Sequence, residues 1–271
     1  MAKKTDFNPP VMLITGASSG IGAATARLFG KKGYSLILAA RRLEKLKEIV
    51  QEIGDSGGNA ISVKTDLTRQ EDIEHLANIT FGQYGYLDIL FNNAGFGRID
   101  WLENLAPQED IVEQLGVNLI GLILLSRAIL PSMISRRRGH IINMSSIAGL
   151  LAAPTYSIYA AGKYGVRGFS NALRREVGIY NIHVSVLYPG GVRTDFGQKA
   201  RIKRKTGITT PGRLKLTPED VAEAVFSLVR KPRSNLVIPW QMNYIVFISM
   251  LAPWLVDWIS MKYFVEPERL E

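Results

Sequence analysis

A length of 271 residues, with 46% hydrophobic and 21% charged residues, allows one large α/β domain with a sizeable core. The chain contains no cysteine, which excludes disulfides, thiolate catalysis and thiolate metal sites, and its three histidines are too scattered along the sequence to predict a metal site. A net charge of +9 suits an anionic ligand, nucleic acid or an anionic membrane. The charged first residues lack the apolar stretch of a signal peptide, so we expect a cytoplasmic protein.

The first predicted strand, residues 11–14, runs into a glycine-rich turn and then into a helix over residues 23–29. Glycines let the backbone turn tightly and let a phosphate approach, and the helix N-terminus offers free N–H groups and a positive dipole end. This context favours dinucleotide binding over an ordinary turn. The residues expected to hold a cofactor here are Gly16, Ser18, Ser19, Gly20, Ile21 and Gly22.

The second predicted strand, residues 35–40, ends at Arg41 and Arg42. Many dinucleotide-binding folds carry an acidic residue at this point, where it binds the adenosine ribose. Two guanidinium groups suit a 2′-phosphate instead, so we predict NADP(H) as the cofactor. The alternative is that both arginines only begin an exposed helix, whose apolar residues recur at helical spacing over residues 43–53.

Further cofactor candidates follow the third and fourth predicted strands. These residues are Asp66, Leu67, Asn93, Ala94 and Gly95. The carboxyl ends of parallel strands line the ligand crevice of such sheets, so we expect these residues to lie at the cofactor. Asp66 is placed to accept a hydrogen bond from an adenine amino group or, alternatively, to cap the next helix.

Two helical features stand out in the remaining chain. A long helix is predicted from about residue 107 to 138, and its middle is apolar nearly all round, which predicts burial. Asn118 is the one strongly hydrogen-bonding amide in that middle, and a buried amide needs partners, so its role is either structural or functional. Thr217, followed by a proline, marks the start of a later helix.

The fifth predicted strand, residues 140–144, ends at Ser145 and Ser146, and a helix that carries Tyr159 and Lys163 follows. Four residues apart on a helix, a phenol and an ammonium lie on one face. A nearby positive charge lowers the pKa of a phenol, which suits the phenol for proton transfer. A tyrosine that merely packs on a lysine stem is the alternative.

Two more strands are predicted, at residues 184–187 and 235–238. Seven strands alternating with helices predict an α/β fold, a Rossmann-type doubly wound sheet of about seven parallel strands with helices on both faces. No repeat or linker divides the chain, so we expect a single domain over residues 1–271. Its core would cover about 10–240, and an apolar C-terminal extension would cover about 236–265.

Together these motifs resemble the classical short-chain dehydrogenase/reductase family. The glycine turn has the family's Gly-x-x-x-Gly-x-Gly spacing, and Ser146 lies thirteen residues before Tyr159, the family's usual gap. Lys163 follows four residues after the tyrosine. The resemblance covers roughly residues 10–240. It also includes Thr15, Asn92, Asn93, Ala94, Gly95, Asn118, Pro189, Gly190 and Thr194.

The resemblance implies an NADP-dependent oxidoreductase acting on a carbonyl or a secondary alcohol. It implies that Tyr159 exchanges a proton with the substrate oxygen, that Lys163 lowers the pKa of Tyr159 and holds the nicotinamide ribose, and that Ser146 hydrogen-bonds the substrate oxygen. Asn118 would position a water that relays protons to Lys163. The residues implied at the nicotinamide end are Pro189, Gly190, Val192 and Thr194. A homodimer or homotetramer is expected.

A basic cluster follows Thr194, in the region where relatives carry a mobile substrate lid. It consists of Lys199, Arg201, Lys203, Arg204 and Lys205. Such a cluster attracts an anionic substrate, lies on an anionic membrane, or is simply solvated.

The tail is apolar, with no charged residue from 236 to 256. The run is long enough to span a membrane, but Pro239 and Pro253 interrupt it and polar residues dilute it. Three alternatives stay open, namely a helix over an apolar substrate pocket, a subunit contact, and an interfacial segment in peripheral membrane contact. By analogy with relatives that act on steroids, retinoids and other lipids, we expect a hydrophobic or lipid-like substrate.

Our first interpretation is therefore an NADPH-dependent carbonyl reductase or alcohol dehydrogenase with a small-molecule substrate. The alternative is a non-catalytic NADP(H)-binding sensor or scaffold protein. The joint presence of Ser146, Tyr159 and Lys163 argues against that alternative. A nucleic-acid partner is suggested by charge alone, and no binding module supports one, so we expect no nucleic acid.

Overall fold

Seven parallel strands form one sheet, in the order β3-β2-β1-β4-β5-β6-β7. The computed structural model describes residues 9–200 and 212–270. The strands are β1 (Val11–Thr15), β2 (Ser35–Ala40), β3 (Asn59–Lys64), β4 (Ile89–Asn92), β5 (Gly139–Met144), β6 (Ile182–Pro189) and β7 (Asn235–Ile238). The predicted Rossmann-type sheet is confirmed.

Helices connect the strands and cover both faces of the sheet. In chain order they are α1 (Gly20–Lys31), α2 (Leu43–Asp55), α3 (Gln70–Tyr84), α4 (Glu113–Leu115), α5 (Gly121–Arg136), α6 (Ser157–Val177), α7 (Phe196–Lys199) and α8 (Pro218–Arg230). The predicted start of α8 is confirmed, because the Thr217 hydroxyl accepts the backbone N–H of Asp220 and proline takes the first turn.

The core has two layers because successive side chains of a strand point to opposite faces. On one face Leu13 of β1 packs with Leu125 and Ile141. On the other face the next residue, Ile14, packs with Phe29 and Val225. With both faces covered, the central strands are apolar runs without alternation, which is why the sequence pattern predicted them.

The helical stretch from Pro107 to Arg136 differs from the prediction of all-round burial. Two π-helical turns, Pro107–Val112 and Gly116–Ile120, precede α4 and α5 respectively. The inner side of α5 is buried in the core, whereas Val112 and Ile120 are exposed, because the stretch lies on the sheet and nothing in the described chain covers its outer face. Among described residues it is the one unbent helix long and apolar enough to cross a membrane, and its packing on the sheet accounts for the apolar residues of its inner side.

After β7 the chain continues in three short helices, α9 (Met242–Leu251), α10 (Pro253–Ser260) and α11 (Glu266–Arg269). We call residues 239–270 the C-terminal arm. A bend of 106° separates α9 from the helical stretch that begins at Pro253, so the two would pass as a membrane span only if counted together.

Candidate active site

The predicted site residues follow strands β1 to β6 or lie on helices beside them, and parallel pairing brings those strand ends to one edge of the sheet. The end of β1 is joined to the end of β4. The Thr15 hydroxyl accepts the backbone N–H groups of Asn93 and Ala94, both at 3.0 Å. The Asn93 side chain in turn donates to the Thr15 carbonyl at 2.9 Å. These bonds hold the two loops in fixed contact.

The glycine turn between β1 and α1 is a close-packed cradle. Gly16 and Gly20 have φ angles of +66° and +53°, where other residues are strained. A Cβ at Gly16 would lie 2.8 Å from the Ala94 Cα, and one at Gly22 would lie 2.4 Å from the Gly16 carbonyl oxygen. Ser19 stands at the N-cap of α1 without a side-chain hydrogen bond to the helix, which leaves the first N–H groups available to a phosphate.

The two arginines after β2 have different partners. Arg42 reaches across to the glycine turn, where its guanidinium donates to the hydroxyls of Ser18 at 3.0 Å and Ser19 at 2.7 Å. Arg41 instead forms an ion pair with Glu113 at 3.1 Å. The structure therefore places Arg42 beside the phosphate cradle, while Arg41 is held against the helical stretch that precedes α5.

Asp66 and Leu67 lie after β3, beside the same edge. The Asp66 carboxylate accepts both the N–H and the hydroxyl of Thr68. Burial is the largest single influence and opposes ionisation, but these hydrogen bonds together with the charges of Arg41 and Arg69 hold the pKa of Asp66 below its ordinary value. The Leu67 side chain is buried in the core, so only its backbone is free to face a ligand. Asp66 thus caps a turn ahead of α3, whose N-cap residue is Arg69.

Tyr159 and Lys163 lie one turn apart on α6, and both are buried. Ser146, two residues after β5, lies close enough to the phenol to affect its pKa, and its hydroxyl accepts the Ala148 N–H at 3.2 Å. Ser145 does not face this group, because its hydroxyl donates to the Lys163 backbone carbonyl at 3.0 Å. The structure thus brings together the three residues named from the sequence and selects Ser146 of the two serines.

The pKa of the Tyr159 phenol does not follow the prediction of a lowered value. Burial raises it to about 12, although Ser146 acts in the opposite direction. The Lys163 Nζ atom lies 5.7 Å from the centre of the Tyr159 ring and donates to the Met144 carbonyl at 2.9 Å. Burial lowers the pKa of Lys163 to about 8. Desolvation is therefore the largest cause of both pKa shifts.

Asn118 lies in the second π-helical turn and holds the loop after β4. Its Oδ1 accepts the Phe96 N–H at 2.9 Å, and its Nδ2 donates to the Phe96 carbonyl at 2.8 Å. Gly95 fits between this amide and Lys163, since a Cβ there would lie 2.9 Å from Asn118 Oδ1 and 3.5 Å from Lys163 Nζ. The oxygen and the nitrogen of the predicted buried amide are thus each bonded to the Phe96 backbone.

The residues after β6 complete the border of the site at this edge of the sheet. Gly190 donates its N–H to the Ile238 carbonyl at 2.7 Å, and Val192 forms an isolated parallel bridge with Leu216. The Thr194 side chain lies 3.4 Å from where a Gly20 Cβ would be. Pro189 ends β6. Of the predicted basic cluster, residues 201–205 lie outside the described residues, as does the side chain of Lys199.

Sequence reasoning missed several contacts of this site. The Phe196 ring lies 5.6 Å from the Tyr159 ring and the Tyr156 ring lies 6.1 Å from it, so aromatic surface borders the phenol. Glu113, the partner of Arg41, is 72 residues away in the chain. The position of Phe196, two residues after Thr194, could have indicated an aromatic residue at the site. No feature of the sequence indicated the ion pair between Arg41 and Glu113.

Comparison with known proteins decides the family. The family model described as short chain dehydrogenase matches residues 10–205. The chain belongs to the short-chain dehydrogenase/reductase family. It is also 40% identical over 227 residues to an uncharacterized oxidoreductase of Listeria innocua, and the match covers 82% of this chain and 91% of the relative. This short-chain dehydrogenase/reductase is therefore an oxidoreductase.

Solved structures of similar proteins carry nicotinamide cofactors of both kinds. A short chain dehydrogenase/reductase from Burkholderia phymatum in complex with NAD has a TM-score of 0.82 and 27% identity, over 92% of this chain and 95% of that one. A metagenomic short-chain oxidoreductase in complex with NADP has a TM-score of 0.72 and 34% identity, over 84% and 96% respectively. This family member is thus similar to proteins that bind either dinucleotide.

Proposed function

We propose that this protein reduces a carbonyl compound, or oxidises the matching secondary alcohol, with NADP(H) as the cofactor. The observation that carries the proposal is the grouping of the buried Tyr159 and Lys163 with the half-buried Ser146 at the same sheet edge as the glycine cradle. The alternative, a non-catalytic sensor or scaffold protein, has no use for a phenol whose ionisation is tuned by a serine and by burial.

The sheet edge fits a dinucleotide. The cradle at Gly16 and Gly22 has no room for side chains, and the uncapped start of α1 offers N–H groups to a pyrophosphate. Arg42 beside this cradle supports NADP(H), because a guanidinium matches a 2′-phosphate. The remaining parts of the dinucleotide would be held by Asp66, Asn93 and the loop from Pro189 to Thr194. A bound nicotinamide supplies or takes up the hydride.

Protonation of Tyr159 suits reduction at neutral pH. With its pKa at about 12, the phenol carries its proton and is placed to donate it to a substrate oxygen. Ser146 would hydrogen-bond the same oxygen as negative charge develops there. Lys163 would hold the nicotinamide ribose and add positive charge beside the phenol. A relay water would bind at the Asn118 backbone, because its side chain already bonds Phe96 at both ends.

We also propose a hydrophobic or lipid-like substrate. The rings of Tyr156 and Phe196 around Tyr159 support this, since they offer apolar surface next to the reacting position. The exposed side chains of Val112 and Ile120 support assembly into a homodimer or homotetramer through the outer side of the long helical stretch. We place the activity in the cytoplasm.

The test is carbonyl-dependent oxidation of NADPH, followed by absorbance. A panel of ketones would run from short dicarbonyls to 3-oxoacyl thioesters, steroids and retinal, with Tyr159→Phe as the inactive control. Turnover of any panel member by the parent and not by the variant supports the proposal. Tight NADPH binding without turnover of any member would favour the sensor or scaffold.

A further inference from the structure

The C-terminal arm is held at its start against the segment that follows β6 and at its end against the segment that follows β4. At its start, Met242 is buried, and Pro239 and Met242 lie against Gly190, since a Cβ there would approach both at 3.4–3.6 Å. At its end, the Arg269 guanidinium stacks 3.8 Å from the Trp101 ring and pairs with Glu103. Both ends of the arm are therefore tied to segments that follow the carboxyl ends of strands, the edge at which the site lies.

Between its anchors the arm presents apolar side chains outwards. Met250 is 68% exposed, and Leu251 and Trp254 are 69% exposed. Exposed apolar residues occur around most of the circumference of α9, because Tyr244, Phe247 and neighbouring residues continue the surface. A helix that is apolar nearly all round is normally buried in a protein core or in lipid. Within the described chain, nothing covers this one.

The shape of the arm excludes a simple span and suits an interfacial position. With 10 residues, α9 reaches about 15 Å at 1.5 Å per residue, half of the hydrocarbon thickness of about 30 Å. The bend of 106° then turns the chain aside. Two short apolar helices at such an angle lie along a bilayer surface with their side chains in the acyl boundary.

Residue types at the border of this surface favour lipid over a protein partner. Three of the four tryptophans of the chain lie in the arm, and Trp and Tyr concentrate where bilayer meets water. Lys262 stacks on Trp258 and Tyr263 at 5.2 and 5.7 Å, which combines a cation and two amphipathic rings at one edge. The net charge of +9, which complements an anionic membrane, is carried by the chain outside the arm, since the acidic and basic residues of the arm nearly balance.

We propose that the C-terminal arm inserts its exposed apolar side chains into the interface of an anionic lipid bilayer. Because the arm is anchored at Gly190 and Trp101, the bilayer would then lie beside the crevice, where an apolar substrate dissolved in lipid is concentrated. Membrane binding is separate from the proposed reaction, since it needs neither cofactor nor substrate.

The test is flotation of the full chain with vesicles of phosphatidylcholine, with and without phosphatidylglycerol. The double variant Leu251→Asp, Trp254→Asp places two charges on the outer surface of the arm. Ile179→Asp is the matched control, because Ile179 is 70% exposed and lies before β6, at the opposite end of the sheet. Circular dichroism checks that all three proteins fold alike.

We expect the parent and Ile179→Asp to float with anionic vesicles and to have their tryptophan emission quenched by brominated acyl chains. The double variant should bind at least about tenfold more weakly, because carboxylates are expelled from the acyl boundary. Flotation of the double variant like the parent would overturn the proposal. A parent that floats with neither vesicle type would also overturn it. So would a parent that is oligomeric and does not bind lipid, if the double variant is monomeric, because the arm would then be a subunit contact. Turnover of a water-soluble ketone, measured without vesicles, tests the proposed reaction independently.

Discussion

Replacing Arg42 with alanine should reduce the preference for NADPH over NADH. The guanidinium donates to Ser18 and Ser19, so it lies beside the glycine cradle, and the proposed use of NADP(H) assigns it to the 2′-phosphate. A hydrogen bond to a charged group contributes about 1.5–3 kcal/mol, and every 1.4 kcal/mol is about tenfold. We therefore expect Arg42→Ala to lower kcat/KM for NADPH by roughly 10- to 150-fold and to leave NADH nearly unaffected.

Arg41 should contribute much less. It is 59% exposed and paired with Glu113, and exposed ion pairs contribute about 1 kcal/mol or less. Arg41→Ala should then lower kcat/KM for NADPH by less than about fivefold. The Arg41→Ala, Arg42→Ala double variant should resemble Arg42→Ala alone. Arg27→Ala is the control, since Arg27 pairs with Glu52 on an exposed helix surface.

The assay is steady-state kinetics with both cofactors and one ketone, at constant salt. An unchanged ratio of NADPH to NADH efficiency in Arg42→Ala would refute the placement of the phosphate beside this residue. If kcat/KM for NADPH fell mainly in Arg41→Ala, Arg41 would have to leave Glu113 when the cofactor binds. That result would contradict the small contribution expected of Arg41.

Three further outcomes are expected. Tyr159→Phe should lower kcat by at least roughly 100-fold while NADPH binding, measured by fluorescence, is kept, and turnover like the parent would exclude the phenol as proton donor. The pKa of Lys163 is lowered from 10.5 to about 8. Its burial therefore costs stability below pH 8, where the lysine is charged in both the folded and the unfolded chain. Above pH 8 the unfolded chain binds more protons, so the free energy of unfolding should rise between pH 8 and 10 by up to about 3 kcal/mol, and urea unfolding of Lys163→Met should show no such rise. Gly95→Ala should abolish turnover in the same ketone assay at modest cost in stability, because its Cβ would meet Asn118 Oδ1 at 2.9 Å; retained activity would show that the loop moves aside easily.

The fold was predictable because its signals are local. Buried parallel strands are short apolar runs, and the Thr217 cap depends on residues within one turn. Strand ends were predicted less well: β6 extends over Ile182–Pro189, beyond the predicted 184–187, because the exposed His183 interrupts the apolar run. Pairing with β5 and β7, which decides the true length, depends on distant segments.

The site was predictable in its residues but not in its electrostatics. The spacing of Tyr159 and Lys163 on one helix face suggested attraction between their charges. The opposite direction of the Tyr159 pKa results from burial, which depends on elements folded over α6 from other parts of the chain. In the same way, the separate roles of Arg41 and Arg42 depend on Glu113 and on the glycine turn, and neither contact leaves a trace in the local sequence.

The loop after β4 has consequences for the thermodynamics of ligand binding. Its N–H groups at Asn93, Ala94 and Phe96 are bonded by side chains of Thr15 and Asn118, which belong to a strand and a helix packed in the core. Such a loop opens only when those elements separate, so its amide hydrogens should exchange with solvent as slowly as those of the sheet. The conformational entropy of ordering this floor of the crevice is accordingly lost when the chain folds. A ligand that arrives later meets a surface already ordered, and its affinity is not reduced by that cost.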